Sequence, residues 1–157
     1  MMGSGKTTVG KAVAEIVDRP FYDTDEMVET GGRSIGEVWE QEGEETFRAM
    51  ETEAVRAVPA DVIAAAGGGA VLDPANREVM GNSGKVVWLK ARSSTLAERL
   101  AGNRDRPLLT TAPANDVLTG LIAARSSVYE ALATHQVETD GRTLDEVVGE
   151  VVRIWRA

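Results

Sequence analysis

Gly3-Ser4-Gly5-Lys6-Thr7-Thr8, residues 3–8, decides how this chain is read. The stretch is the second half of a Walker A pattern, G-x-x-x-x-G-K-[ST]. Glycines let successive backbone N–H groups curl around phosphate oxygens, and the helix that follows points its positive end at the same place. In that chemistry Lys6 reaches the β- and γ-phosphates and the Thr7 hydroxyl ligates Mg²⁺. Gly3, Ser4, Gly5 and Thr8 complete the nucleotide cradle. Amphipathic spacing directly after G-K-T-T sets the stretch apart from a disordered Gly/Ser-rich start. The full spacing puts the motif's first glycine immediately before Met1, and the strand that should feed the loop is absent. The expectation is a late start. A true truncation would leave a hydrophobic groove and a loop anchored on one side only.

Outward from the loop, strand-type apolar runs alternate with helical patterns, which predicts an α/β fold with a parallel sheet. A first helix is expected from Gly5 or Lys6 to about Val17, then a strand over Arg19 to Asp23. Ser34 with Glu37 makes a capping box. The helix it opens carries Ile35, Val38 and Trp39 on an apolar face, is interrupted at Gly43, and stops before Pro59. Val62 to Ala66 reads as a strand running into Gly67-Gly68-Gly69, and Asp73-Pro74 as N-cap and N1 of a short helix. Lys85 to Lys90 is a strand, Ser94 to Leu100 a helix with Gly102 as its stop, and Asn103 to Pro113 a polar, mobile loop. A helix over about Asn115 to Ala133, a strand over Gln136 to Thr139 and a helix capped by Thr143 and Glu146 complete the chain.

Composition bounds the function. Among 157 residues, 17 are Lys or Arg and 25 are Asp or Glu, a formal net charge of −8. That length predicts one domain, and the acidic balance argues against a nucleic-acid partner. With no cysteine, disulfides, thiolate metal sites and a Cys nucleophile are excluded. No apolar run approaches the roughly 18 residues of a membrane span, and no signal-peptide pattern precedes the first charge, so a cytoplasmic protein is expected.

Further candidates follow the loop. Asp23-Thr24-Asp25 ends a strand, where residues i and i+2 face one side, so both carboxylates could enter one site. Arg48 and Glu51 are helical neighbours, and burial of Glu51 beside Phe47 and Val55 would orient Arg48 for a carboxylate. The Gly67–Gly69 run would let a ligand approach backbone closely. Arg104, Asp105, Arg106 and Arg125 read first as solvated charge, and Arg33 reads equally as helix-entry or site-facing charge. His135 has no partner in sequence, and Trp39, Trp88 and Trp155 fit packing positions.

In order and spacing the pieces resemble shikimate kinase: MGSGKTTVG, FYDTDEMVE, GRSIGEVWEQEGEETFR, GGGAV, RDRPLL, Arg125 to Tyr129, and VETDGR. The resemblance implies a P-loop kinase with a three-layer α/β/α architecture and a five-stranded parallel sheet, its first strand missing here. It implies a shikimate-binding region over about 23–58 and a lid over about 103–113. Residue by residue it implies that Lys6 contacts the transferring phosphate, Thr7 binds Mg²⁺ and Asp23 belongs to the metal's outer shell. Asp25 would bind shikimate hydroxyls and serve as base. Arg48 and Arg125 would clamp the carboxylate, with Glu51 orienting Arg48 and Arg33 at a site-facing position. Gly68 and Gly69 would bring backbone to shikimate and the γ-phosphate. Arg106 would neutralise phosphate charge from the lid, and Arg99 and Arg142 would flank adenine. Two departures stand out: Ser127 lies where R-x-P-x-Y has its proline, and Leu144 where a proline near adenine is common.

The implied reaction is ATP + shikimate → ADP + shikimate 3-phosphate, by a monomer that binds no nucleic acid or membrane. The alternatives are another small P-loop kinase, such as a gluconate kinase, and a non-catalytic remnant that kept the fold.

Overall fold

The computed structural model describes residues 1–29, 32–101 and 113–157. Helix α1 (Lys6–Val17) leads into strand β1 (Phe21–Asp23), the short α2 (Thr24–Val28) and the long α3 (Ile35–Ala57). Strand β2 (Ile63–Ala65), a 3-10 turn (Ala70–Leu72), α4 (Pro74–Ser83) and β3 (Val87–Lys90) follow. Then come α5 (Ser93–Leu100), α6 (Ala114–Leu132), β4 (His135–Glu138) and α7 (Leu144–Arg156).

Among the described residues the strands form two parallel pairs. Phe21, Tyr22 and Asp23 of β1 lie against Ile63, Ala64 and Ala65 of β2. Val87 to Lys90 of β3 lie against His135 to Glu138 of β4. Helices cover both faces. On one, α1 and α7 bury Val9, Val13, Val147, Val148 and Val152 against Leu89 and Val137. On the other, Leu96 and Leu100 of α5 and Leu118 and Tyr129 of α6 pack with Met1 and Val71, and Trp88 closes against them. Trp88 and Leu89 are consecutive in β3, so strand alternation alone sends them to opposite layers. The result is the expected three-layer α/β/α arrangement. A third cluster, Val28, Val38, Phe47 and Ala54, ties α2 to α3.

Local chemistry sets the element ends. Ser34 and Glu37 form a complete capping box, as do Thr143 and Glu146. Asp73 caps α4, with Pro74 in its first turn. Gly43 sits at φ 85°, ψ 170° inside α3 and kinks it there, a conformation open to glycine. Several expected edges shift. Strand β1 begins at Phe21, because Asp18 is left-handed (φ 53°), Arg19 pairs with Asp61 and Pro20 has no N–H to donate. Strand β3 begins at Val87; Lys85 instead turns its ammonium to the Ile154 carbonyl at the end of α7, 2.7 Å away. Helix α2 was not foreseen at all. The expected helix stop at Gly102 and nearly all of the loop over 103–113 lie outside the described residues.

Leu96 is fully buried in the α5–α6 layer, whereas Leu144 is 45% exposed. Leu96→Ala should lose about 2–5 kcal/mol of stability in urea unfolding. Leu144→Ala should stay within about 0.5 kcal/mol. Equal losses would contradict this assignment of the core.

Candidate active site

A cavity of about 250 Å³ opens where the ends of β1 and β2, the start of α1, and helices α3 and α6 meet. Its first wall is the glycine loop. Gly3 and Gly5 stand at φ 72° and φ 87°, left-handed values that turn the chain tightly into α1. No side chain caps this helix start. A helix whose first N–H groups lack a side-chain acceptor offers an anion site. The Met1 carbonyl accepts from the Lys6 ammonium at 2.9 Å and from the Ser4 hydroxyl at 2.8 Å, which folds Lys6 back over the loop. Gly3, Gly5, Lys6, Thr7 and Thr8 all line the cavity.

The second wall is the end of β1. Asp23 is its last residue and also the N-cap of α2. Its Oδ1 accepts from the Asp25 N–H at 2.9 Å, and its Oδ2 from the Thr7 hydroxyl at 2.6 Å. Asp25 lies in the first turn of α2, so a capping turn, and not strand alternation, brings both carboxylates to the cavity. Asp23 is buried. The oxygen pair of Thr7 and Asp23 suits a hard cation that keeps water and phosphate ligands. No all-protein cage of three acidic or histidine side chains exists among the described residues.

Helix α3 supplies the third wall. Arg48 donates to Glu51 at 2.8 Å and to Glu44 at 3.3 Å. Its guanidinium also rests over Trp39 and Phe47, 5.6 and 5.2 Å from the ring centroids. Such contacts hold a cation in place while leaving donors for a ligand. Glu51 is 3% exposed. Burial pushes its carboxyl up from the ordinary value, and Arg48 pulls the other way.

The fourth wall is the Gly67–Gly69 ribbon and α6. The buried Thr24 hydroxyl accepts from the Gly67 N–H at 2.9 Å. The Gly68 carbonyl accepts from Arg125 at 3.2 Å and from the Tyr129 hydroxyl at 2.6 Å. A Cβ at Gly67 would come within 2.6 Å of Asp25 and 2.7 Å of Glu51, and one at Gly69 would strike the Arg48 guanidinium. A side chain at either position would push these charged ends aside, so glycine keeps their close approach.

The cavity thus brings together Lys6, Thr7, Asp23, Asp25, Arg48, Gly68, Gly69 and Arg125. Arg99 lies beside it, donating to the Thr139 carbonyl at 3.0 Å and hydroxyl at 3.1 Å and to the Gly3 carbonyl at 3.5 Å. Arg142 is held at the start of α7 by Glu150 and by the Glu138 and Glu146 carbonyls. Arg33 pairs with Glu42 and does not line the cavity. Arg106, with Arg104 and Asp105, lies outside the described residues. Sequence reasoning assigned Trp39 to packing alone, yet it faces the cavity with Phe47 and Ile35. Tyr129 and Thr24 were passed over. Thr24 stands between two carboxylates and Tyr129 at the end of the Arg125–Tyr129 segment, and nothing local shows the partner of either hydroxyl.

A phosphate-type loop at one end and two arginines with a carboxylate at the other define the class: a P-loop kinase acting on a small anionic alcohol. The family model described as shikimate kinase matches residues 2–156, and this chain belongs to the shikimate kinase family. It is 44% identical to a shikimate kinase of Symbiobacterium thermophilum, over 97% of this chain and 90% of that protein. It is 40% identical to one of Geobacter sulfurreducens, over 99% and 87%. Among solved structures it resembles the shikimate kinase of Acinetobacter baumannii in complex with shikimate, with a TM-score of 0.94 at 31% identity over 99% of this chain and 88% of that one.

The raised carboxyl of Glu51 gives a pH test. A carboxyl raised in the folded state costs nothing below its unfolded value and its full ionisation cost above the folded one. Its contribution to stability therefore falls as pH rises through that window. Glu51→Gln lacks this titration, so its stability deficit against wild type should narrow as pH rises above the ordinary carboxylate range in urea unfolding. A deficit that widens with pH would show that pairing with Arg48 outweighs burial.

Proposed function

We propose that this chain transfers the γ-phosphoryl group of ATP to the 3-hydroxyl of shikimate, giving ADP and shikimate 3-phosphate. The observation that carries the reading is the convergence of Arg48 from α3 and Arg125 from α6 on the cavity that Lys6, Thr7 and Asp25 also line. Two guanidinium groups suit one carboxylate, and a carboxylate beside them suits a hydroxyl.

The ATP phosphates lie along Gly3, Ser4, Gly5, Lys6, Thr7 and Thr8, with Lys6 exchanging the Met1 carbonyl for a phosphate oxygen. Arg48 and Arg125 hold the shikimate carboxylate, and the Gly68–Gly69 backbone lies along the ring. Asp25 orients the 3-hydroxyl toward the γ-phosphorus and takes its proton as the new P–O bond forms and ADP leaves. Thr7, with Asp23 behind it, would hold Mg²⁺, which when bound neutralises charge on the phosphate oxygens. Arg99 and Arg142 border the adenine, and Arg106 adds positive charge at the transferred group. Catalysis is then mainly positioning and charge neutralisation. Every group named belongs to one chain, so a monomer suffices, acting in the cytoplasm on a small-molecule substrate. The family match and the relatives at 44% and 40% identity favour shikimate over the gluconate alternative.

ADP release from Mg-ATP, followed with shikimate and with gluconate in parallel, tests the substrate. Shikimate alone should accelerate it; acceleration by gluconate alone would replace this reading. Lys6→Ala should lower kcat at least about 100-fold, since it removes a charge facing the transferred group. Arg106→Ala should lower kcat sharply with little change in Tm, and unchanged turnover would remove Arg106 from the mechanism.

A further inference from the structure

The proposed reaction gives no task to Tyr129, although its hydroxyl makes one of the shortest hydrogen bonds around the cavity. Tyr129 is 8% exposed, and its ring stacks on Trp88 with centroids 5.4 Å apart. The stack fixes the ring, leaving the hydroxyl one direction to point. That direction is the Gly68 carbonyl, 2.6 Å away, where Arg125 also donates at 3.2 Å. Two donors therefore share one acceptor, and one of them is a carboxylate clamp of the proposed site.

The sharing matters when substrate arrives. The Gly68 carbonyl is half-buried at the cavity wall, and losing its donor there costs part of a hydrogen bond. If Arg125 were its sole donor, turning the guanidinium toward a carboxylate would orphan Gly68. With Tyr129 in place the carbonyl stays satisfied and Arg125 is released to the ligand. The same bond sets the backbone. The Gly68 carbonyl and the Gly69 N–H belong to one planar trans peptide and point in opposite directions. Holding the carbonyl toward α6 therefore also fixes the Gly69 N–H, which points the opposite way. Burial pushes the Tyr129 hydroxyl up from its ordinary value, so it keeps its proton and remains a donor at neutral pH.

We infer that Tyr129 is a positioning residue for acid-substrate binding: its hydroxyl holds the Gly68–Gly69 peptide so that Arg125 can leave the Gly68 carbonyl for the substrate carboxylate. The inference rests on the reading of this cavity as the shikimate site. It separates Tyr129 from a packing role, because packing needs only the ring.

The test is Tyr129→Phe, which keeps the ring, beside Leu118→Val, a core change on the same helix. Shikimate binding is measured by calorimetry without nucleotide, and both KM values and Tm are measured for each protein. Tyr129→Phe should raise the shikimate Kd and KM about tenfold, the effect of one hydrogen bond, with the KM for ATP changed by less than about twofold. Leu118→Val should lower Tm with both KM values unchanged. Shikimate binding by Tyr129→Phe within about twofold of wild type, or KM values for both substrates raised alike, would overturn the inference. Wild-type chain that binds no shikimate would overturn it together with the substrate reading; wild type that binds while Tyr129→Phe is unaltered would overturn it alone.

Discussion

One carboxylate joins the two halves of this site. Asp23 spends Oδ1 on the Asp25 N–H, which starts α2, and Oδ2 on the Thr7 hydroxyl, which sits in the first turn of α1. The first contact fixes where Asp25 projects. The second fixes where the phosphate loop lies against the end of β1. Asp23 is itself held by the parallel pairing of β1 with β2, at the register that sets it beside Ala65. Two residues further along the chain Gly67 begins the ribbon that carries the other wall. A shift of one residue in that register would separate the Gly3–Thr8 loop from the Gly67–Gly69 wall.

The glycine ribbon is a second constraint of the same kind. It has no side chains to pack, so its shape is imposed by neighbours: Thr24 at the Gly67 N–H, and Arg125 and Tyr129 at the Gly68 carbonyl. Charged groups then crowd against the bare Cα positions, Asp25 and Glu51 at Gly67 and Arg48 at Gly69. Asp25 and Glu51 repel each other there, and the half-exposed Arg48 guanidinium bonded to the buried Glu51 offsets that repulsion and the cost of burying Glu51.

How much of this could be read from the chain depended on the range of the causing interaction. Capping boxes at Ser34 and Thr143, the Asp73-Pro74 start and the Gly43 kink are local, and all four stand as expected. The phosphate loop is local as well. The Asp23–Asp25 pair was found by a strand argument that does not apply, since Asp23 caps a five-residue helix too short to show a periodic pattern. The convergence of Arg48 and Arg125 was legible only through family resemblance, because 77 residues of sequence separate them and no local signal aims either side chain. Trp39 was read as core because the face of α3 that packs and the face that meets the cavity share one apolar stripe. Tyr129 closes the Arg125–Tyr129 segment that carries the resemblance, but nothing in the sequence shows what its hydroxyl bonds. A hydroxyl's partner across the fold is set by tertiary packing alone.

In the proposed reaction one cavity holds the donor phosphate and the acceptor hydroxyl together, so that transfer and not hydrolysis results. The most direct test is the product formed from Mg-ATP and shikimate, followed by phosphorus and proton magnetic resonance. One phosphate ester at the 3-hydroxyl, formed in equal amount with ADP, is the expected result. Free inorganic phosphate in place of the ester, or an ester on another hydroxyl, would contradict it.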